Sequence, residues 1–213
     1  MAEHATATHP ADAAHPDHLD TSTGLDSRKM AMWTLIGSEC LLFGGLIATY
    51  LVYEGQSIVG PYPHEVLDIP LTSLSTFVLL MSSLAMVLGL HAVQHNDRKG
   101  AMIWLGATAG LGAVFLGFQA YEFTHFATYY GLGLGTNLFG STFYVLTGFH
   151  GAHVLVGVII LLALVFRAWK HQLGPDKSIP VEVVGLYWHF VDVIWIVIFT
   201  LVYLVHPPGA PGL

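Results

Sequence analysis

Five long apolar runs dominate the chain, at about Met30 to Tyr53, Leu71 to Val93, Ala101 to Phe126, Leu138 to Phe166 and Val181 to Val205. Each reaches or exceeds the roughly 20 residues a helix needs to cross the hydrocarbon core of a bilayer. Strands of a membrane barrel would be about half as long and would alternate apolar with polar residues, which these runs do not. In hydrocarbon every backbone N–H and C=O needs a partner, and a helix supplies those partners within one segment. The runs therefore predict an all-α integral membrane bundle of five transmembrane helices. Composition agrees, with 54% hydrophobic and 10% charged residues, where a soluble domain has roughly a quarter charged.

The basic residues orient the bundle. Arg28 and Lys29 precede the first run, Arg98 and Lys99 lie between the second and third, and Arg167, Lys170 and Lys177 lie between the fourth and fifth, which accounts for all 7. By the positive-inside rule the N-terminus and both basic loops are cytoplasmic, and the C-terminal HPPGAPGL emerges outside. The outer connections carry Glu54, Glu65 and Asp68 without a basic residue. That mildly acidic surface is compatible with plain solvation or with a basic soluble partner.

Residues 1–27 are a different material, rich in Ala, Thr, Pro, Asp and His and without apolar periodicity. They read as a disordered cytoplasmic tail, leaving residues 28–213 as the membrane domain. The tail lacks the basic start and apolar core of a signal peptide. His4, His9, His15 and His18 are irregularly spaced and have no cysteine beside them, so no defined metal site is expected there. Cys40 is the single cysteine, so no disulfide can form within the chain. No internal repeat is evident, no nucleic-acid partner is expected, and the stretch 171–180, with its Gly174-Pro175 turn signal, is a linker.

The informative residues are the ionisable ones inside the runs, because each is costly in hydrocarbon unless it faces protein or water. Glu39 is ten residues past Lys29, so at 1.5 Å per residue it sits about 15 Å into the membrane. On the last run Glu182, His189 and Asp192 fall at i, i+7 and i+10, within about 80° of one another at 100° per residue. His150 and His153 lie at a depth comparable to Glu39 and Asp192, so a single buried polar belt is geometrically possible. Three chemistries fit these residue types. His150, His153, His189 and Asp192 have the ligand types for a metal or heme; His and Glu can carry protons; and the same groups can hydrogen-bond one another to hold helices together, at roughly 1 kcal/mol per bond. Gly148, Gly151 and Gly157 around the His pair, and Gly37, Gly44 and Gly45 on the first run, allow close helix approach. Trp188, Trp195, Phe199 and Tyr203 form a stripe at helical spacing that reads as a packing surface.

Four of the five runs carry a resemblance. YWHFVDVIWIVIFTLVYL at Tyr187 to Leu204, with Glu182 seven before His189, resembles the terminal helix of subunit III of the heme-copper terminal oxidases. GSTFYVLTGFHGAHVLVG at Gly140 to Gly157 resembles the preceding helix of that family. SECLLFGGLIATY at Ser38 to Tyr50 resembles the family's helix with a membrane-buried acid, and FLGFQAYEFTHF at Phe115 to Phe126 its Gln and Tyr-Glu segment. The segments occur in the family's order. The resemblance implies that Glu39 is the buried acid, that Gln119 and Glu122 lie at the outer end of the third helix, that His150 and His153 form the histidine pair, and that Glu182, His189 and Asp192 lie on the last helix.

None of these residues is a redox ligand in that family. The resemblance implies no catalytic site, cofactor or metal on this chain, with heme and copper on subunits I and II. Subunit III would stand beside subunit I, hold phospholipid, stabilise the complex and support proton uptake, with cytochrome c or a quinol as electron donor. The short form lacks two helices of the seven-helix members and resembles that of bacterial oxidases of the cytoplasmic (inner) membrane, so one wall of the family's lipid-filled cleft is missing. On this reading His150 and His153 are hydrogen-bonded to neighbours such as Glu39 or Asp192. Glu182 is either a surface proton acceptor or a solvated helix-start carboxylate favoured by the macrodipole. The alternatives are a subunit of a quinol oxidase, an accessory subunit of a nitric oxide reductase, and, in another class, an autonomous membrane heme or metal protein or an ion transporter.

Overall fold

The computed structural model describes residues 26–58, 60–174 and 178–205. The tail histidines His4, His9, His15 and His18, the linker residue Lys177 and the C-terminal residues 206–213 lie outside the described residues. The described residues form six helices: α1 (Ser27–Tyr53), the single turn α2 (Pro63–Val66), α3 (Ile69–Gln94), α4 (Arg98–Tyr129), α5 (Leu138–Trp169) and α6 (Ile179–Phe199), which continues as a π-helical turn, Thr200–Leu204. Five of them are long and apolar enough to cross a membrane. No β-strand occurs among the described residues.

Most helix ends lie one to three residues beyond the apolar runs, because capping residues extend the helices past the hydrocarbon. Asp26, Asp68, Asp97 and Asn137 each accept a hydrogen bond from a backbone N–H in the first turn of the helix they precede, which satisfies donors that a helix start leaves free. Pro70 sits in the first turn of α3, where its missing N–H removes no helical bond.

α3 with α4, and α4 with α5, form the most extensively packed antiparallel pairs. α6 then packs against α3 and α5, and α1 rests on α5 and α6 from outside. Only Phe43 and Tyr50 of α1 are buried, so α1 is the least enclosed of the five long helices. At the centre lies Trp188, fully buried between Gly112 of α4 and Gly157 of α5. A Cβ at either glycine would come within 2.5 Å or 2.7 Å of its ring. The side-chain bulk that α6 brings to the centre is accommodated by the absence of side chains on its neighbours.

The connectivity gathers the described basic residues at one end, where α1, α4 and α6 begin and α3 and α5 end. Arg98 helps to close that end: its guanidinium donates to the carbonyls of Ala168 (2.9 Å) and Trp169, at the C-terminus of α5. A cation there satisfies the carbonyls a helix end leaves free and complements its dipole.

Candidate functional site

The sequence-predicted polar residues do not gather into one belt. They divide among separate interhelical contacts. Depth along a helix fixes the height of a side chain, and helical period fixes its direction only relative to its own helix, so neither sets which neighbouring helix it meets.

Glu39 and His153 meet between α1 and α5, with His153 Nε2 3.2 Å from Glu39 Oε2. His153 Nδ1 lies 2.7 Å from the carbonyl of Phe149. A carbonyl can only accept, so Nδ1 donates and carries its hydrogen. The Nε2–Glu39 contact therefore shares one proton, either as imidazolium with carboxylate or as imidazole with carboxylic acid. From α6, Tyr187 donates to the His153 carbonyl at 3.0 Å. The expected pairing of His153 with Glu39 is present, and it joins three helices.

His150 departs from expectation. It is fully buried and neither ring nitrogen has a hydrogen-bond partner. Its ring stacks on Trp195 at 4.8 Å and meets Phe115 and Phe43 edge-on at 5.9 Å and 6.5 Å. Three residues along a helix turn the side chain by about 60°. That rotation takes His153 to α1 and leaves His150 among aromatic rings. Replacing His153 by Leu is expected to weaken the α1 contact by about 1 kcal/mol and to lower retention of α1 under protease digestion, while His150→Leu leaves retention nearly unchanged. Equal losses for the two would overturn the distinction.

On α6, Glu182 lies in the first turn. It pairs with Lys29 of α1 at 2.5 Å and is within 3.5 Å of Gln94 Nε2 on α3, so it is an ion-paired carboxylate rather than a merely solvated one. Two turns deeper, His189 Nδ1 is 2.6 Å from Ser83 Oγ of α3. Asp192 lies beside the same serine, whose hydroxyl can accept from His189 Nδ1–H and still donate to a carboxylate. Asp192 is 2% exposed and neither carboxylate oxygen has a hydrogen-bond partner.

Toward the other end of α4, Gln119 Nε2 donates to the Thr147 carbonyl of α5 at 2.7 Å. The glycine at 151 leaves room for the Gln119 amide. Glu122 accepts from Thr72 of α3 and from Tyr203 in the π-helical turn, both at 3.1 Å on Oε1. This buried carboxyl thus ties α4 to α3 and α6 together.

The hydroxyls of α3 were not singled out from the sequence. Thr72, Thr76, Ser82 and Ser83 meet Tyr203 and Glu122, Trp195, Trp188 and His189 in turn, with Trp195 Nε1 2.9 Å from Thr76 Oγ1 and Trp188 Nε1 3.0 Å from Ser82 Oγ. The aromatic stripe of α6 is therefore a packing surface, as its spacing suggests, and also a row of donors. The available signal was the spacing of Thr72, Thr76 and Ser83 at i, i+4 and i+11, one face of a helix in an apolar run. In this row the indole N–H groups donate but cannot accept. Neither indole can take up a proton from a neighbour and pass it on. No side-chain hydrogen bond links the inner pair His189–Ser83 to the outer trio Thr72–Glu122–Tyr203 among the described residues.

No group of three or more His, Cys, Asp or Glu that could hold a metal ion occurs among the described residues. The donors do not fit heme ligation either, since His150 is enclosed by rings on several sides and His153 and His189 use nitrogens on Glu39, Phe149 and Ser83.

Comparison with known proteins gives the following. The sequence model of the cytochrome c oxidase subunit III family matches residues 19–206. The cytochrome c oxidase subunit 3 of Alkalihalophilus pseudofirmus is 38% identical over 202 residues, covering 90% of this chain and 98% of that protein. The quinol oxidase subunit 3 of Bacillus spizizenii is 38% identical over 175 residues, covering 82% and 85%. The cytochrome c oxidase subunit 3 of a Synechocystis species is 40% identical over 183 residues, covering 84% and 76%.

Proposed function

Because the chain belongs to the cytochrome c oxidase subunit III family, we propose that it is the non-redox third subunit of a proton-pumping terminal oxidase in a bacterial inner membrane. In this reading heme and copper reside on subunits I and II. The chain packs beside subunit I, stabilises it, holds phospholipid, and supports proton uptake from the cytoplasmic side, where its basic end lies. The observation that carries the reading is the fate of the buried polar groups. Glu39, Gln119, Glu122, His153 and His189 are used to join helices of this chain, the use a structural subunit would make of them.

Proton support is assigned to the inner half. Glu182 lies at the start of α6 and Asp192 lies deeper, with His189 and Ser83 between them in height. In this reading protons are exchanged with the inner side. Cytochrome c is the donor in this reading. A quinol is the second reading, favoured by the equal 38% identity to relatives of each kind.

Mild-detergent purification of the chain from its native membrane tests the proposal. Heme absorption bands are expected to co-purify and then to remain with the other subunits when this chain is dissociated. Bands that follow the isolated chain would make its histidines ligands and overturn the reading.

A further inference from the structure

At the end of the bundle away from the basic residues, a cavity of about 520 Å³ opens between the α2–α3 junction and the last turns of α4. Glu65 and Asp68 line it from the junction, and Tyr121, Glu122, Phe126 and Tyr130 line it from α4 and its C-terminal cap. Three carboxylates thus share one cavity, and each commits one oxygen to its own chain. Glu65 Oε2 accepts from the Tyr62 N–H at 2.9 Å, Asp68 Oδ1 from the Leu71 N–H at 3.2 Å, and Glu122 Oε1 from Thr72 and Tyr203. The second oxygen of each takes no hydrogen bond among the described residues. Glu65 and Asp68 are exposed to solvent. Glu122 is only 7% exposed, and its second oxygen is reached from the cavity it lines.

A carboxyl in a membrane span is tolerated when it meets a partner charge, and the described Lys and Arg of this chain all lie at the opposite end. The base that lines the cavity, His125, is stacked between the rings of Tyr121 and Tyr129 at 6.1 Å and 5.3 Å and forms no ion pair with the three acids among the described residues. We propose that the cavity receives the guanidinium of an arginine carried by a neighbouring subunit of the oxidase. This goes beyond the proposed function by assigning a subunit contact at the end opposite to proton uptake, and it rests on that function only for the existence of neighbouring subunits.

Three features select that occupant. The first is the spread of the acceptors. No three His, Cys, Asp or Glu among the described residues converge as ligands of one metal ion, so a compact point charge is poorly matched to Glu65, Asp68 and Glu122 together. The flat fork of a guanidinium spans separated acceptors. The second is the wall. Tyr121, Phe126 and Tyr130 line the cavity with aromatic side chains, and a guanidinium stacks on aromatic faces while its aliphatic stem lies along apolar surface. The third is depth. Glu122 is seven residues before the end of α4 at Tyr129, about 10 Å of helix, so its partner has to be inserted and held. That selects a resident subunit, because a soluble basic protein is steered by exposed rim charges and leaves again.

Photo-crosslinking in the native membrane tests the proposal. Tyr129 adjoins the cavity without lining it and is 80% exposed, so the photoreactive p-benzoylphenylalanine can replace it there. Irradiation is expected to attach one polypeptide of the oxidase, at a segment containing an arginine, in a yield that a high-salt wash does not change. Glu122→Gln keeps an acceptor for Thr72 and Tyr203 but removes the charge, and should lower the yield several-fold. Glu54→Gln removes an acid at the same end that does not line this cavity, and should leave the yield unchanged. Where Glu122→Gln lowers the amount of the chain itself, Asp68→Asn replaces it, since Asn still caps α3, and the yield should again fall. Replacing the attached arginine by Gln should reproduce the Glu122→Gln loss, and the two changes together should add nothing further, as for a direct pair. No attachment, attachment to lipid alone, to a segment without arginine, or to a soluble protein that salt removes overturns the proposal. Equal losses in Glu122→Gln and Glu54→Gln do so as well. Co-purifying heme bands report on the oxidase assignment separately, so failure here is distinct from failure of that reading.

Discussion

Trp188→Ala is expected to destabilise the bundle by about 3–5 kcal/mol, the range found when a large buried aromatic is truncated. Trp188 is fully enclosed, seated against Gly112 and Gly157, and its Nε1–H donates to Ser82. Removing the ring leaves a cavity where α3, α4, α5 and α6 converge, and it leaves the Ser82 hydroxyl without its donor. Lipid competes poorly for such a space, because helix association in membranes rests on close packing rather than on exclusion of water. The measurement is the amount of this chain in membranes and its retention by the purified complex as detergent is raised. Both should fall steeply. Trp188→Phe, which keeps most of the ring but not the N–H, should recover most of the loss. Gly157→Val attacks the same seat from the other side and is expected to cost about 1–3 kcal/mol through overpacking. Wild-type retention of Trp188→Ala would mean that the centre of the bundle lies elsewhere.

That centre was legible in the sequence only in part. The five spans could be read because a long apolar run has few other physical solutions, and the structure places them within a few residues of the expected bounds. The shared face of Glu182, His189 and Asp192 was readable from helical period, and all three lie toward α3. The α3 side of the contact was not readable. A Ser or Thr in a membrane helix commonly bonds the carbonyl one turn back, and Thr76 and Ser82 do so here, to Thr72 and Leu79. Their second role, accepting from Trp195 and Trp188, depends on how α3 and α6 are rotated. The same limit separated His153 from His150. Glu122 shows it over a longer span: its position near one end of α4 was expected, yet its partners, Thr72 and Tyr203, are 50 and 81 residues away in sequence.

Asp192→Val is expected to stabilise the bundle, by about 1–3 kcal/mol, the penalty of a buried polar group left without a hydrogen bond. The sign follows from geometry. The side chain is 2% exposed, neither carboxylate oxygen has a hydrogen-bond partner, and the neighbouring Ser83 hydroxyl lies 2.6 Å from His189 Nδ1. An apolar side chain of similar size removes the penalty and leaves the Ser83–His189 contact in place. Retention of the chain by the complex at raised detergent or temperature should therefore increase. A carboxyl that weakens the protein carrying it has its use outside the packing of that protein. The proposed use is proton exchange with the inner side, and the variant separates stability from that use. Proton uptake by the complex during turnover is expected to slow even as retention improves. Improved retention with unchanged uptake would remove Asp192 from the proton-supporting role. Reduced retention would instead mean that the carboxyl gains a partner when the oxidase assembles, and the proposed contact with subunit I would then have to include this region of α6.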